Sequence, residues 1–80
     1  MGTMNACVSA SGGEWCYGWF AVVEGKDCYS NYYHHTKVHK SSVKINGITN
    51  DSGWVAATRT ANASRIGPGG ATCYTYYSIK

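Results

Sequence analysis

Four cysteines in a chain of 80 residues, Cys7, Cys16, Cys28 and Cys73, constrain the fold more than any other feature. A domain this short buries only a modest share of its surface and needs covalent or oligomeric support. The spacing contains no CxxC pair of the kind that structural zinc or a thioredoxin-like redox site requires, so the four cysteines read as two disulfides. Disulfides imply an oxidising compartment and hence a secreted, extracellular protein. The opening residues, Met1-Gly2-Thr3-Met4-Asn5, have neither a basic region nor a continuous apolar stretch, and read as a mature form carrying a starter methionine. No membrane span is expected, because the longest apolar run, 19–23, is far below the ~20 residues of a spanning helix.

Composition narrows the class further. Charged residues make up 14% of the chain, well under the usual ~25%, and glycine, tyrosine, serine, threonine and asparagine are abundant, the profile of a small secreted β-protein. The net charge of +3 comes with six of the seven basic residues at or beyond Lys37. This excess favours anionic partners but is too small to argue for nucleic acid.

Along the chain, residues 1–11 are small and polar and read as a flexible N-terminal arm pinned by Cys7, leaving 12–80 as a single domain. Aromatic and β-branched residues over 14–23 predict a first strand, with Gly18 marking a bulge or a close approach. A turn at 24–27 leads to a second strand over 28–34. Its alternation puts Tyr29, Asn31 and Tyr33 on one face and Ser30, Tyr32 and His34 on the other. A third strand over 37–45 ends at the tight-turn dipeptide Asn46-Gly47. Residues 48–53 read as a loop, 54–61 as a strand, 62–71 as a second loop and 72–79 as the final strand. Short strands between turn residues, with no amphipathic helix, predict an all-β antiparallel sandwich or small barrel.

This strand assignment limits the disulfides. With a turn at 24–27, Val23 faces Cys28 and Cys16 lies opposite about His35, too far from Cys28 for the ~7 Å Cα separation a bridge tolerates. Two pairings remain: Cys7–Cys16 with Cys28–Cys73, or Cys7–Cys28 with Cys16–Cys73. The second is preferred because it ties both the arm and the last strand to the first hairpin.

The residue list is unfavourable to catalysis. The four acids sit at turns or at the start of a strand with no pocket implied, no serine occupies a nucleophile elbow, and the cysteines are taken by disulfides. His34, His35 and His39 invite a metal, but on a strand His35 and His39 share a face that His34 does not, and Asp27 or Asp51 would have to be recruited from elsewhere as a further ligand. No metal and no cofactor are therefore expected. Eleven aromatic residues exceed what so small a core can hide, so some rings must be exposed beside lysine and histidine. Such a surface suits a sugar or phospho-sugar. The candidate ligand-binding residues are Tyr29, Asn31, Tyr32, Tyr33, His34, Lys37, His39 and Lys40.

The same stretch resembles a known family. Tyr29-Ser30-Asn31-Tyr32 followed by His34, Lys37 and His39 is similar to the YSNYxHxxKxH stretch of the lactococcin 972-like bacteriocins. Gly12-Gly13-Glu14-Trp15 with Gly18 resembles the family's GGxWxxG opening, Ser42-Val43 fits the continuation, 53–58 is similar to its Gly/Trp/Ala strand, and Tyr76-Tyr77 resembles its aromatic end. The resemblance implies two three-stranded antiparallel sheets packed face to face. It further implies a secreted toxin against related Gram-positive bacteria that acts on the cell-wall precursor lipid II, or another envelope glycan precursor, and blocks septum formation. The four cysteines and His35 depart from the family pattern. The alternative reading is a small carbohydrate-binding or adhesion module with no killing activity.

Overall fold

The computed structural model describes residues 3–80, with side chains from residue 5 onward; Met1, expected to be a starter methionine, and Gly2 lie outside the described residues. Among the described residues, seven strands account for the regular structure: β1 (Thr3–Ala10), β2 (Gly13–Val22), β3 (Gly25–Tyr33), β4 (His39–Ile45), β5 (Ile48–Asp51), β6 (Thr60–Gly67) and β7 (Cys73–Ile79). All neighbouring strands are antiparallel, in a four-stranded sheet ordered β1-β2-β3-β6 and a three-stranded sheet ordered β5-β4-β7. The expected all-β, disulfide-stapled sandwich is thus the observed fold. Residues 13–79 alone form three strands on each side, and β1 is a seventh strand laid along the edge of β2.

That seventh strand occupies Thr3–Ala10 of the stretch 1–11 expected as an arm. Pairing with β2 from Thr3↔Phe20 to Ala10↔Gly13 gives partners to the backbone groups on its inner edge, and Cys7 sits directly opposite Cys16, with Cα atoms 4.0 Å apart and the sulfurs bonded. The second disulfide joins Cys28 on β3 to Cys73 on β7, with a Cα separation of 5.6 Å, and so links the two sheets. The absence of a Cys16–Cys28 bond agrees with expectation, but the preferred pairing, Cys7–Cys28 with Cys16–Cys73, is overturned. Cys28 faces inward opposite Trp19, whereas Cys16 lies opposite Asn31 on the outer face and cannot reach β7.

The hairpin register also differs from the expected one. The turn contains only Val23 and Glu24, closed by Val22↔Gly25, so Trp19 rather than Val23 faces Cys28. A displacement of four residues is even, so every side chain keeps its face while its partner changes. The ladder runs through Gly18 in register on both sides, without a bulge.

Three further assignments change. Residues 48–51, expected in a loop, form β5, closing a hairpin whose turn residues Asn46 and Gly47 both have positive φ, 55° and 77°. The strand expected over 54–61 reduces to a single bridge between Val55 and His39. In its place β6 runs through 60–67, most of which lies in the loop expected over 62–71. Its alternation is real but made of small residues: Ala61 and Ala63 are buried while Thr60, Asn62 and Ser64 are exposed. Small inward residues are required there. A Cβ on Gly67 would stand 2.8 Å from Ile45 Cδ1, so β6 can approach β4 only because that position carries no side chain.

The core between the sheets is part apolar, around Cys28, Val43, Ile45 and Ala63, and part polar. Ser41 Oγ on β4 lies 2.7 Å from the Ser30 carbonyl and 2.9 Å from that of Ala61, so one hydroxyl is shared between β3 and β6.

Candidate functional site

The motif stretch crosses the sandwich rather than lining one surface. On β3 the burial alternates strictly: Cys28, Ser30 and Tyr32 are enclosed while Tyr29, Asn31 and Tyr33 are half exposed. The two faces proposed from period-two alternation are therefore the observed ones, with the Ser30–Tyr32–His34 face turned inward.

Each inward polar group has a partner. Ser30 Oγ accepts from Trp15 Nε1 at 2.9 Å and donates to the Tyr76 carbonyl at 3.0 Å. Tyr32 donates to the Ala10 carbonyl at 2.7 Å, its ring stacked on Tyr77 with centroids 4.5 Å apart and meeting His39 edge-on at 5.6 Å. Burial, and after it the neighbouring Tyr77, hold the Tyr32 phenol above its ordinary pKa, so it remains a neutral donor. His34 Nδ1 accepts from the N–H groups of Thr36 and Lys37 at 3.2 and 3.1 Å; the ring proton therefore sits on Nε2, which donates to the Ser11 carbonyl at 3.1 Å. His39 directs Nδ1 at the Lys37 carbonyl (2.8 Å) and Nε2 at that of Arg59 (2.7 Å). A neutral ring has a single N–H and donates to only one of them.

Gly13 completes this interior. A Cβ there would lie 2.7 Å from the Tyr32 hydroxyl, so the Gly12-Gly13 turn can close over the ring only without a side chain. Tyr32, His39 and His34, with 0%, 0% and 4% of their surface exposed, are enclosed within the sandwich. The face expected to be shared by His35 and His39 is lost because the chain bends at 35–37: His35 is exposed beside Tyr33, and His39 is enclosed.

The exposed members of the predicted set are dispersed. Tyr29, Asn31 and Tyr33 lie on the outer face of the four-stranded sheet, where the Tyr29 hydroxyl donates to Asn5 Oδ1. Lys37 stands on the bend between the sheets. Lys40 lies on the outer face of the three-stranded sheet, and there it meets residues the sequence reading did not assign.

That outer face is built by alternation on two strands. Lys40, Ser42 and Lys44 point outward from β4, opposite Ser78, Tyr76 and Tyr74 of β7. Trp54 stands over the end of the sheet with the ammonium groups of Lys40 and Lys80 at 4.9 and 5.0 Å from its ring. Trp54, Tyr74 and Tyr76 are 44%, 51% and 46% exposed. Asp51 pairs with Lys40 at 3.1 Å; the Gly53 N–H first, and then Lys40, hold its carboxyl below the usual carboxylate range. Three lysines against one carboxylate, among three exposed rings, leave a positive aromatic platform. The Tyr74/Tyr76 and Lys40/Lys44 alternations were legible in the sequence, but not that they share a sheet.

Comparison with known families bears on 11–77, which match the model described as Bacteriocin (Lactococcin_972). The chain belongs to the Lactococcin_972 bacteriocin family. Neither the curated proteins nor the solved structures gave a match. The matched segment begins at the Gly12-Gly13 turn and ends within β7, so it covers the three-plus-three sandwich and leaves β1 outside. Within this bacteriocin, the motif residues Ser30, Tyr32, His34 and His39 hold the two sheets and the 34–37 bend together.

Proposed function

We propose that this bacteriocin is secreted and acts without catalysis, by binding lipid II on related Gram-positive bacteria and so blocking septum formation. The observation that carries the reading is the platform of Lys40, Lys44, Lys80, Trp54, Tyr74 and Tyr76 on the outer face of the three-stranded sheet. A pyrophosphate offers charged acceptor oxygens to lysine ammonium groups, and such charge-assisted bonds are stronger than neutral ones. Exposed tyrosine and tryptophan rings present flat apolar surface with a polar edge, suited to a sugar. The +3 net charge favours approach to an anionic envelope. Tyr32, His34 and His39 contribute by holding the frame, and Lys37 lies where it can add a further charge at the margin.

A platform of lysines and exposed rings suits sequestration of a precursor. Cys28, Val43, Ile45 and Ala63 are packed between the sheets while Val23, Ile48 and Ile66 stand exposed, and no helix among the described residues is long and apolar enough to cross a membrane. In a growth-inhibition assay, added lipid II is expected to protect target cells, and treated cells to fail at the septum while membrane potential is retained. Rapid depolarisation at the inhibitory dose, or no protection by lipid II, would defeat the proposal. Glycan binding with no effect on growth would instead favour the adhesion module.

A further inference from the structure

The two sheets differ in width, and the difference leaves a cleft. Strand β7, a free edge of the three-stranded sheet, packs against β2 and β3, so the inner face of β1 and the adjoining part of β2 extend beyond it. Between this overhang and β7 lies a space of about 730 Å³, lined by Ala6, Tyr17 and Trp19 on one side, Thr72 and Thr75 on the other, and Lys26. The volume falls within the range of roughly 300–1,000 Å³ typical of small-molecule sites.

Lys26 gives this cleft its chemistry. It is only 9% exposed, an unusual setting for a lysine. Its ammonium donates to the Ala71 carbonyl at 2.8 Å and stands 4.2 Å from the centre of the Trp19 ring. The ion pair found among the described residues is Lys40–Asp51, so no carboxylate accompanies Lys26. An ammonium has three N–H groups, and the Ala71 carbonyl takes one. A buried charge without a counter-charge is costly to hold, and here it borders a cavity floored by aromatic rings.

We propose that the cleft is a second binding site that takes an amphiphilic anion, with an oxyanion head on Lys26 and an apolar body over Trp19 and Tyr17. It lies between the sheets, away from the outer platform of Lys44 and Tyr74, and does not depend on what that platform binds. The head is a carboxylate or a phosphate ester, since either supplies acceptor oxygens to the two remaining N–H groups.

Titration of the full chain with octanoate, octyl phosphate and octanol, followed by NMR, tests the assignment. Both anions should shift the Trp19 indole and Ala71 amide resonances saturably, leave the Trp54 indole unmoved, and bind at least about tenfold more tightly than octanol. The ranking of octanoate against octyl phosphate distinguishes a carboxylate from a phosphate ligand. Lys26→Met should abolish the preference for the anions over octanol. Equal affinity for octanol, the absence of saturable shifts, or an undiminished anion preference in Lys26→Met would overturn the proposal. Should Lys26→Met fail to fold, the anion-to-octanol ratio on the unmodified chain decides it.

Discussion

His34 carries the kind of side chain that a sequence reader assigns to ligands, and the fold uses it to build a bend. Its Nδ1 gathers two backbone N–H groups from the three residues that follow, and its Nε2–H reaches the turn between β1 and β2. His34→Ala would leave these groups without partners in a nearly closed site, at a cost of roughly 2–4 kcal/mol. Lys37→Ala, fully on the surface, should change stability by less than about 0.5 kcal/mol. Urea denaturation of the two variants measures the contrast, and equal losses would show that the ring is not the organiser of the bend. His39, enclosed and directed at two carbonyls, belongs with His34. Its replacement reports on folding, and of the two motif residues Lys37 and His39 only Lys37 tests binding.

Among the elements, the two disulfides have unequal duties. Cys7–Cys16 closes a hairpin with a sequence separation of 9 and holds an edge strand, whereas Cys28–Cys73 spans 45 residues and crosses the core between the sheets. Chain entropy alone assigns the longer loop about 4 kcal/mol and the shorter one less than about 3 kcal/mol. Breaking Cys28–Cys73 also opens a fully buried site at Cys28. The expected outcome is that Cys28→Ala with Cys73→Ala lowers global stability more than Cys7→Ser with Cys16→Ser. The latter should act locally, by raising hydrogen exchange in β1 while β3 and β4 stay protected. Uniform loss of protection throughout the chain in the Cys7/Cys16 variant would mean that β1 is integral to the sandwich rather than an addition to its edge.

For the molecule as a whole, the question is which outer face meets the target. One face presents Tyr29, Asn31 and Tyr33; the other presents Lys40, Lys44, Lys80 and three exposed rings. Only the second combines positive charge with ring surface, the combination a phosphate-bearing glycan calls for. Because a few central residues dominate binding at such surfaces, Lys44→Ala with Tyr74→Ala is expected to reduce killing at least about tenfold, with the circular dichroism spectrum unchanged. Tyr29→Ala with Asn31→Ala should leave potency within about twofold. The opposite ranking would move the site to the four-stranded sheet.

What the chain determines by itself is local. Period-two alternation sorted Tyr29, Asn31 and Tyr33 from Ser30, Tyr32 and His34; Asn46-Gly47 announced its turn; short apolar runs ruled out helices; and the motif from Tyr29 to His39 pointed to the family. Those properties depend on neighbours within a few residues. Tertiary structure decided which of the two faces on β3 is buried, because alternation says only that residues share a side and not which side another sheet will cover. It decided that Thr60–Gly67 is a strand, since Ala63 and Gly67 look like loop residues until Ile45 is packed against them. It set the disulfide pairing by laying β1 beside β2, so that Cys7 meets Cys16, and by turning the Cys28 face of β3 toward β7. It also assembled Lys40, Trp54 and Tyr74 from distant parts of the chain into one platform, a long-range arrangement that exists only once β4 has paired with β7.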